Sequence, residues 1–116
     1  MSRAYRIAIV EGDDLIREIV QRWLSEAGHT VEVRSLSALL AGNGFDVILV
    51  DVASPRSGAP LIAAIRAVHQ APIVMLSARL RSNQAGSSSL ARQLGVKAVL
   101  GKPFSREELL AAIESV

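Results

Sequence analysis

The sequence has no cysteine and very few aromatic residues. Cysteine is absent from the 116 residues, and phenylalanine, tryptophan and tyrosine together make up 3% of them. Without cysteine there can be no disulfide, no thiolate metal site and no cysteine nucleophile, and the two histidines stand alone in the sequence. Any metal held by this chain is therefore expected to have oxygen ligands.

Long apolar runs are also missing. No segment approaches the roughly eighteen consecutive apolar residues of a membrane helix, and Met1 to Arg6 lacks the apolar core of a secretory signal. The formal net charge is only +2, and the arginines are scattered from Arg3 to Arg106 instead of forming a basic patch. We therefore expect a cytoplasmic protein with no membrane contact and no direct nucleic-acid contact.

The hydrophobic residues, half of the total, recur in short runs that alternate with helix-like segments. A chain of this length and composition fits one compact domain over residues 1–116. Apolar runs rich in Val, Ile or Leu occur five times, and a helix-like segment follows each of them. The predicted strands are Arg6 to Val10, Thr30 to Arg34, Val47 to Val50, Pro72 to Leu76 and Lys97 to Leu100.

The segments between and after these runs carry helix signals. Gly28 supplies a left-handed stop for the first predicted helix, and Ser105 with Glu108 forms the capping box that opens the fifth. A short helix is predicted between the second and third strands, and the third helix is predicted over "LIAAIRAV". The stretch from Arg79 to Ser89 is either a mobile loop or a poorly formed first half of the fourth helix.

This rhythm predicts an α/β fold, a flavodoxin-like (βα)5 three-layer sandwich with a parallel five-stranded sheet of order 2-1-3-4-5. Continuously apolar runs, as in strands one, three and four, are typical of parallel strands covered on both faces, whereas the alternating second strand is expected at an edge. The winding direction then reverses between strands one and three, and ligands bind outside the strand C-termini at such a point. Glu11 and Asp51 should face each other there, with Ser77 and Lys102 on the same rim.

That rim combines two carboxylates, a hydroxyl and an ammonium, without a glycine-rich phosphate loop. Carboxylates bind a hard cation such as Mg²⁺, and the cation neutralises the charge of phosphoryl oxygens. One of the carboxylates can then act as the nucleophile that attacks phosphorus. We expect Asp51 to be that nucleophile. Lys102 suits a phosphoryl oxygen because its ammonium is a compact charge, and the Ser77 hydroxyl can turn to hydrogen bond to a new phosphoryl group.

Four motifs, in order at the predicted strand ends, carry a family resemblance: "VEGDDLIRE", "DVILVDVASP", "PIVMLSA" and "GKPF". Over essentially its whole length the chain resembles a bacterial response regulator receiver domain. The resemblance implies that Asp51 is the phosphoacceptor, Ser77 the switch hydroxyl and Lys102 the phosphoryl-binding lysine. It also implies a cis peptide before Pro103.

The resemblance further implies a cofactor and partners. Mg²⁺ is expected on Glu11, Asp51 and the backbone carbonyl of Ala53. Receivers take phosphate from a histidine kinase or phosphotransfer protein, so the chain is expected to be a signalling phosphoacceptor, with no enzymatic activity beyond self-phosphorylation and autodephosphorylation. The face of the fourth helix, fifth strand and fifth helix, which carries Arg92, Lys97 and Arg106, is the expected surface for a downstream protein partner or a homodimer.

The first of the four motifs departs from the family pattern. Receivers usually carry an acidic pair where this chain has Glu11 and Gly12, so we expect weakened Mg²⁺ binding. One hypothesis is that Gly12 lets Asp13 swing into the crevice as the replacement ligand; the other, which we favour, is that Asp13 or Asp14 caps the first helix. A one-residue slip that makes Asp13 and Asp14 the acidic pair is a further alternative.

Two more departures concern the strand before Lys102 and the loop after Asp51. Val99 stands where many receivers have a Tyr or Phe that rotates inward, so here no aromatic ring can rotate, and we interpret Val99 as a simple strand position. In the loop "ASPRSGAP", Gly58 arrives one residue early and Arg56 adds positive charge. Binding of phosphoryl oxygens by Arg56 is one interpretation, and a solvated loop arginine is the more common one.

Three hypotheses about function follow from these residues. The preferred one is a phosphorylatable receiver with weak Mg²⁺ binding, and the second is a pseudo-receiver that acts as a phosphorylation-independent interaction module. The third, a nucleotide or flavin binder, is disfavoured because an acidic first loop without a glycine-rich cradle repels phosphate. Since residues 1–116 are filled by one domain, we expect no output domain among them; the domain either works alone or is excised from a longer protein.

Overall fold

The computed structural model describes residues 4–10, 14–42, 44–77 and 88–115. Five strands alternate with five helices in these ranges. The strands are β1 Arg6–Val10, β2 Thr30–Arg34, β3 Val47–Val52, β4 Ile73–Ser77 and β5 Ala98–Gly101. The helices are α1 Asp14–Glu26, α2 Leu36–Ala41, α3 Pro55–Val68, α4 Ser88–Leu94 and α5 Arg106–Glu114. None of the described helices is long and apolar enough to cross a membrane.

The strands form one parallel sheet of order β2-β1-β3-β4-β5, which confirms the predicted fold and topology. β1, β3 and β4 lie in the centre and are almost entirely buried, as their continuously apolar sequences indicate. β2 lies at an edge, and none of its five residues is fully buried. The reversal of winding direction therefore falls between β1 and β3, where ligands bind in folds of this kind.

Two apolar clusters cover the two faces of the sheet. Fully burying one large aliphatic side chain contributes about 1.5–3 kcal/mol, so these clusters supply most of the driving force for folding. α1 and α5 pack on one face, and α2, α3 and α4 pack on the other. The helix residues buried on the first face are Val20, Leu24, Leu109 and Ile113, and those buried on the second are Leu39, Ile62, Ile65 and Ala91.

α3 begins six residues earlier than the sequence predicted, at Pro55 instead of Leu61. Ser54 caps it: the Ser54 hydroxyl accepts from the Ser57 N–H at 3.2 Å, and the Ser57 hydroxyl accepts from the Ser54 N–H at 3.1 Å. This reciprocal pair satisfies backbone donors that the first turn would otherwise leave free. Residues 56–58 consequently belong to the first turn of a helix and not to a loop, which corrects the interpretation of "ASPRSGAP".

The helix ends agree with the sequence signals where they are described. Gly28 (φ 97°) and Gly95 (φ 75°) take the left-handed conformation that ends α1 and α4. Asp14 lies already inside the first turn of α1, and its carboxylate pairs with the Arg17 guanidinium, so Asp14 itself is not the cap. The predictions for Glu11, Gly12 and Asp13, and for residues 79–87, lie outside the described residues.

Candidate functional site

Three polar side chains meet at the C-terminal ends of neighbouring strands. Asp51 is the penultimate residue of β3, Ser77 ends β4, and Lys102 follows β5 directly. The parallel register pairs Val52 with Ser77 and Ser77 with Gly101, so the three ends are level with one another. The strand-end argument from the sequence thus brings Asp51, Ser77 and Lys102 to one rim.

Lys102 and Asp51 form an ion pair at this rim. The Lys102 Nζ lies 2.5 Å from Asp51 Oδ2, closer than the roughly 2.7–2.9 Å usual for a charge-assisted N–H···O bond. Their side chains are only 15% and 8% exposed, so water screens the pair poorly. An ammonium held this close balances the charge of the Asp51 carboxylate.

Ser77 links two of the loops at the rim. Its side chain is fully buried, and its hydroxyl donates to the backbone carbonyl of Ala53 at 3.2 Å. Its own carbonyl accepts from the Lys102 N–H at 2.9 Å, which continues the sheet into the loop that carries the lysine. The Ser77 hydroxyl therefore contacts the chain two residues after Asp51, at the atom that the family resemblance makes a metal ligand.

The donor atoms of this rim suit a hard divalent cation. Asp51 and the Ala53 carbonyl offer oxygen ligands, which Mg²⁺ prefers, and a carbonyl oxygen has two lone pairs, so one remains beside the Ser77 bond. In the described part of the chain no three His, Cys, Asp or Glu residues come together as a metal cluster. Glu11 and Asp13, the other two predicted ligands, lie outside that part.

The remaining predictions near the site concern Val99, Pro103 and Arg56. The peptide between Lys102 and Pro103 is cis, as predicted. Val99 is buried in the core of β5, which agrees with its interpretation as a simple strand position. Arg56 is exposed in the first turn of α3, and within the described residues it makes no ion pair.

Sequence reasoning missed a groove beside Lys102. It has a volume of about 180 Å³ and lies between α1 and the loop from β5 to α5, lined by Ile16, Ile19, Val20, Trp23, Lys102, Pro103 and Phe104. Trp23 meets Phe104 edge-on at a centroid distance of 6.4 Å. The apolar spacing in the first helix indicates a core or half-buried position for Trp23, but no sequence pattern identifies Phe104, 81 residues later, as its partner.

The two histidines serve the fold, as their isolation in the sequence suggested. His29 Nδ1 accepts from the Tyr5 N–H at 3.0 Å, and His69 Nε2 lies 2.7 Å from the Leu39 carbonyl oxygen. Both side chains are buried, and neither contacts the rim formed by Asp51 and its neighbours.

One carboxyl group away from the rim has a strongly shifted pKa. The Arg6 guanidinium, hydrogen-bonded to Glu32 at 2.6 Å, lowers the pKa of Glu32 to about 2, and the Arg34 guanidinium adds to the effect. Glu32 lies on the edge strand β2 and pairs in register with Ala8 of β1. The ion pairs of Glu32 with Arg6 and Arg34 therefore stabilise the edge of the sheet and lie away from the candidate site.

Comparison with known proteins agrees with this architecture. The family model described as "Response regulator receiver domain" matches residues 7–114. Transcriptional regulatory protein CpxR of Escherichia coli K12 is 32% identical over 118 residues, which cover 96% of this chain and 48% of CpxR. Transcriptional regulatory protein GltR of Pseudomonas aeruginosa is 35% identical over 119 residues, with 95% and 48% covered. The chain thus spans about half the length of these two relatives.

A solved structure matches over nearly the full length of both chains. Chemotaxis protein CheY4 of Vibrio cholerae superimposes with a TM-score of 0.72 at 26% sequence identity, covering 98% of this chain and 99% of its own. These matches favour the receiver class to which the preferred hypothesis assigns the chain. They favour neither the phosphorylation-independent module nor the nucleotide or flavin binder.

Proposed function

Because this chain belongs to the response regulator receiver domain family, which acts in two-component signalling, we propose that Asp51 is its phosphoacceptor. The observation that carries the proposal is the contact of 2.5 Å between the Lys102 ammonium and the largely buried carboxylate of Asp51. A lysine so placed can follow the developing charge from the carboxylate to a phosphoryl oxygen. Family members are signalling phosphoacceptors, and the donor proposed here is a histidine kinase or a phosphotransfer protein.

The proposed transfer uses side chains that already touch the acceptor loop. A carboxylate oxygen of Asp51 forms a bond to phosphorus while the bond from phosphorus to the donor breaks, and the electron pair of that bond leaves with the donor. Lys102 exchanges its hydrogen bond to the carboxylate for one to a phosphoryl oxygen. The Ser77 hydroxyl turns from the Ala53 carbonyl to another phosphoryl oxygen, where a charged acceptor gives a stronger bond.

Mg²⁺ is the proposed cofactor, and when bound it would neutralise charge on the phosphoryl oxygens. Asp51, the Ala53 carbonyl and Glu11 would hold it, and Asp13 is the alternative replacement for the acid missing at Gly12 if it does not cap the first helix. Because the usual pair of acids is reduced, we propose that Mg²⁺ binds weakly. A Gly12→Asp variant is then expected to reach the same phosphorylated fraction at a lower Mg²⁺ concentration than the native chain.

The proposed output surface is the face of α4, β5 and α5. Arg92, Lys97 and Arg106 lie exposed on these elements or next to them, beside the exposed acids Glu107, Glu108 and Glu114 of α5, so the face presents charges of both signs. The loop that carries Lys102 lies between β5 and α5, so a change in the contacts of Lys102 acts directly on one side of this face. A downstream protein or a second copy of the chain is the proposed partner.

Intact mass measured after incubation with acetyl phosphate tests the proposal. We expect one phosphoryl group on the native chain with Mg²⁺ and much less after chelation, and none on Asp51→Asn. Asp46→Asn is the matched control, because Asp46 is exposed at the start of β3 and its amide oxygen can still accept from the Arg6 N–H. A folded native chain that takes no phosphoryl group with Mg²⁺ present would favour the phosphorylation-independent module instead.

A further inference from the structure

A cavity lies at the edge of the sheet opposite the rim that carries Asp51. It has a volume of about 490 Å³ and lies where α3 and α4 end and β4 and β5 begin, with Arg66, His69 and Lys97 among its lining residues. The five residues of β4 run from this edge to the rim and separate the two places by roughly 13 Å. The volume falls within the roughly 300–1,000 Å³ of ordinary small-molecule sites.

Among the residues that the structure describes, two cationic side chains and no acidic one line this cavity. Arg66 and Lys97 are exposed, and within the same described residues neither forms an ion pair or a side-chain hydrogen bond. The C-terminal end of a helix carries about half a negative charge, so the ends of α3 and α4 together offset about one of the two cations. The other positive charge remains for a ligand.

The Arg66 guanidinium packs against the backbone of Gly95 at one side of the cavity. Gly95 follows α4 with φ 75°, and a Cβ at this position would lie 2.7 Å from the Arg66 Cζ. The guanidinium thus occupies the space that a side chain at position 95 would fill. A guanidinium packed in this way presents a planar set of N–H donors, which match two oxygens of one phosphate group.

His69 contributes a ring nitrogen to the same cavity. Its side chain is only 8% exposed, and its Nε2 lies 2.7 Å from the Leu39 carbonyl oxygen. Because a carbonyl oxygen only accepts, Nε2 is the donor, and in the neutral ring Nδ1 is left as an acceptor. Within the described ranges Nδ1 has no hydrogen-bond partner. A hydrogenphosphate group has an O–H that can donate to such a nitrogen, and an ionised carboxylate has none.

We propose that this cavity binds a phosphorylated small molecule. The Arg66 guanidinium and the Lys97 ammonium bind the phosphate oxygens, and the His69 Nδ1 accepts from a protonated oxygen of the same group. Ile73 and Val96, both buried, form an apolar floor for the rest of the molecule. The cavity shares no lining residue with the rim, so the proposal does not depend on the proposed function.

Calorimetry with pyrophosphate, on the native chain and without divalent cations, tests the proposal. We expect saturable binding of one pyrophosphate per chain. Arg66→Gln should weaken it about tenfold, the equivalent of one hydrogen bond to a charged group, and Lys97→Gln about threefold, because an exposed ammonium contributes less. Arg106→Gln is the matched control: it removes the same charge from an exposed arginine that begins α5 at the other edge of the sheet, and it should leave the affinity unchanged.

Gly95→Asn tests the position of the guanidinium while the net charge stays the same. Asparagine tolerates the left-handed conformation, and its side chain displaces the end of the flexible Arg66 side chain, so pyrophosphate should bind about as weakly as to Arg66→Gln. Amide chemical shifts in the native chain should change around the cavity, and Asp51→Asn should bind pyrophosphate like the native chain. No saturable binding to the folded native chain, an equal loss in Arg106→Gln, or shift changes confined to the rim would each refute the proposal and leave the proposed function standing.

Discussion

Breaking the contact between Lys102 and Asp51 should destabilise the fold by more than breaking a surface ion pair. The test is a double-mutant cycle with Lys102→Met, Asp51→Asn and the combined variant. Lys102→Met leaves a carboxylate that is 8% exposed without its ammonium, and such a group loses hydration that nothing replaces. Asp51→Asn keeps the shape of the side chain and an oxygen that can accept from Lys102, so its own effect should be smaller.

The expected coupling follows from the distance and the burial of the pair. Hydrogen bonds to charged groups contribute about 1.5–3 kcal/mol net, and at 2.5 Å with both side chains mostly buried this pair belongs in that range. The exposed pair of Glu18 and Arg22 on α1 provides the comparison, because its atoms lie 3.8 Å apart and its side chains are 71% and 66% exposed. Pairs of that kind contribute about 0.3–0.5 kcal/mol.

Urea unfolding of the variants at neutral pH, without divalent cations, measures both couplings. We expect a coupling free energy of about 2 kcal/mol between Lys102 and Asp51, well above the coupling free energy between Glu18 and Arg22. Equal couplings for the two pairs would refute the argument that partial burial strengthens the contact at the site. A stability gain in Lys102→Met would refute it as well.

Three further predictions concern packing, capping and pH. Gly58→Ala should lower the free energy of unfolding by up to about 2 kcal/mol, since the added methyl lies 2.7 Å from Val52 Cγ1 and overpacking outweighs the helix preference of alanine. Ser105→Ala removes the capping box with Glu108 and should cost about 1 kcal/mol. Glu32→Gln should remove part of the acid sensitivity. The pKa of Glu32 in the folded chain, about 2, lies below the ordinary glutamate value of 4.5, so the ionised carboxylate stabilises the fold above about pH 4.5, and this stabilisation is lost as the pH falls towards 2.

Urea unfolding checks all three predictions, and each has a matched control. Gly42→Ala adds a methyl whose nearest neighbour is 3.4 Å away and should not destabilise comparably; equal losses would contradict the packing argument. Ser25→Ala controls for Ser105→Ala, and a loss of the same size would show that the cap contributes nothing. For Glu32→Gln, the urea midpoint is measured as a function of pH, with Glu114→Gln as the control. If the midpoint of Glu32→Gln fell at acid pH as much as that of the native chain, the stabilising role of the Glu32 carboxylate would be contradicted.

Much of the fold could be predicted because its signals are local. Continuous apolar runs identify β1, β3 and β4 as central strands, and the alternating run identifies β2 as an edge. Parallel strands with crossover helices then leave few topologies, and the observed order β2-β1-β3-β4-β5 is the predicted one. Because the C-terminal ends of parallel strands lie at one edge of the sheet, the topology also predicts that Asp51, Ser77 and Lys102 lie at one rim.

The missed features depend on contacts that the sequence does not display. The start of α3 was not predicted because its cap uses Ser54 and Ser57 in place of the usual acid at the fourth position, and because Pro60 lies inside the helix, where proline is unusual. The hydrogen bond from Ser77 to Ala53 depends on strand register and on one side-chain rotamer. Neither the serine cap of α3 nor this hydrogen bond can be predicted from the composition or the hydrophobic periodicity of the sequence.

The site of phosphorylation on the native chain tests the central claim most directly. After incubation with acetyl phosphate and Mg²⁺, borohydride reduces an aspartyl phosphate to the alcohol and releases phosphate, and peptide mapping then locates the modified residue. The account predicts homoserine at Asp51 and at no other aspartate. Modification at a different residue, or an unmodified Asp51 in a folded chain that carries phosphate, would contradict it.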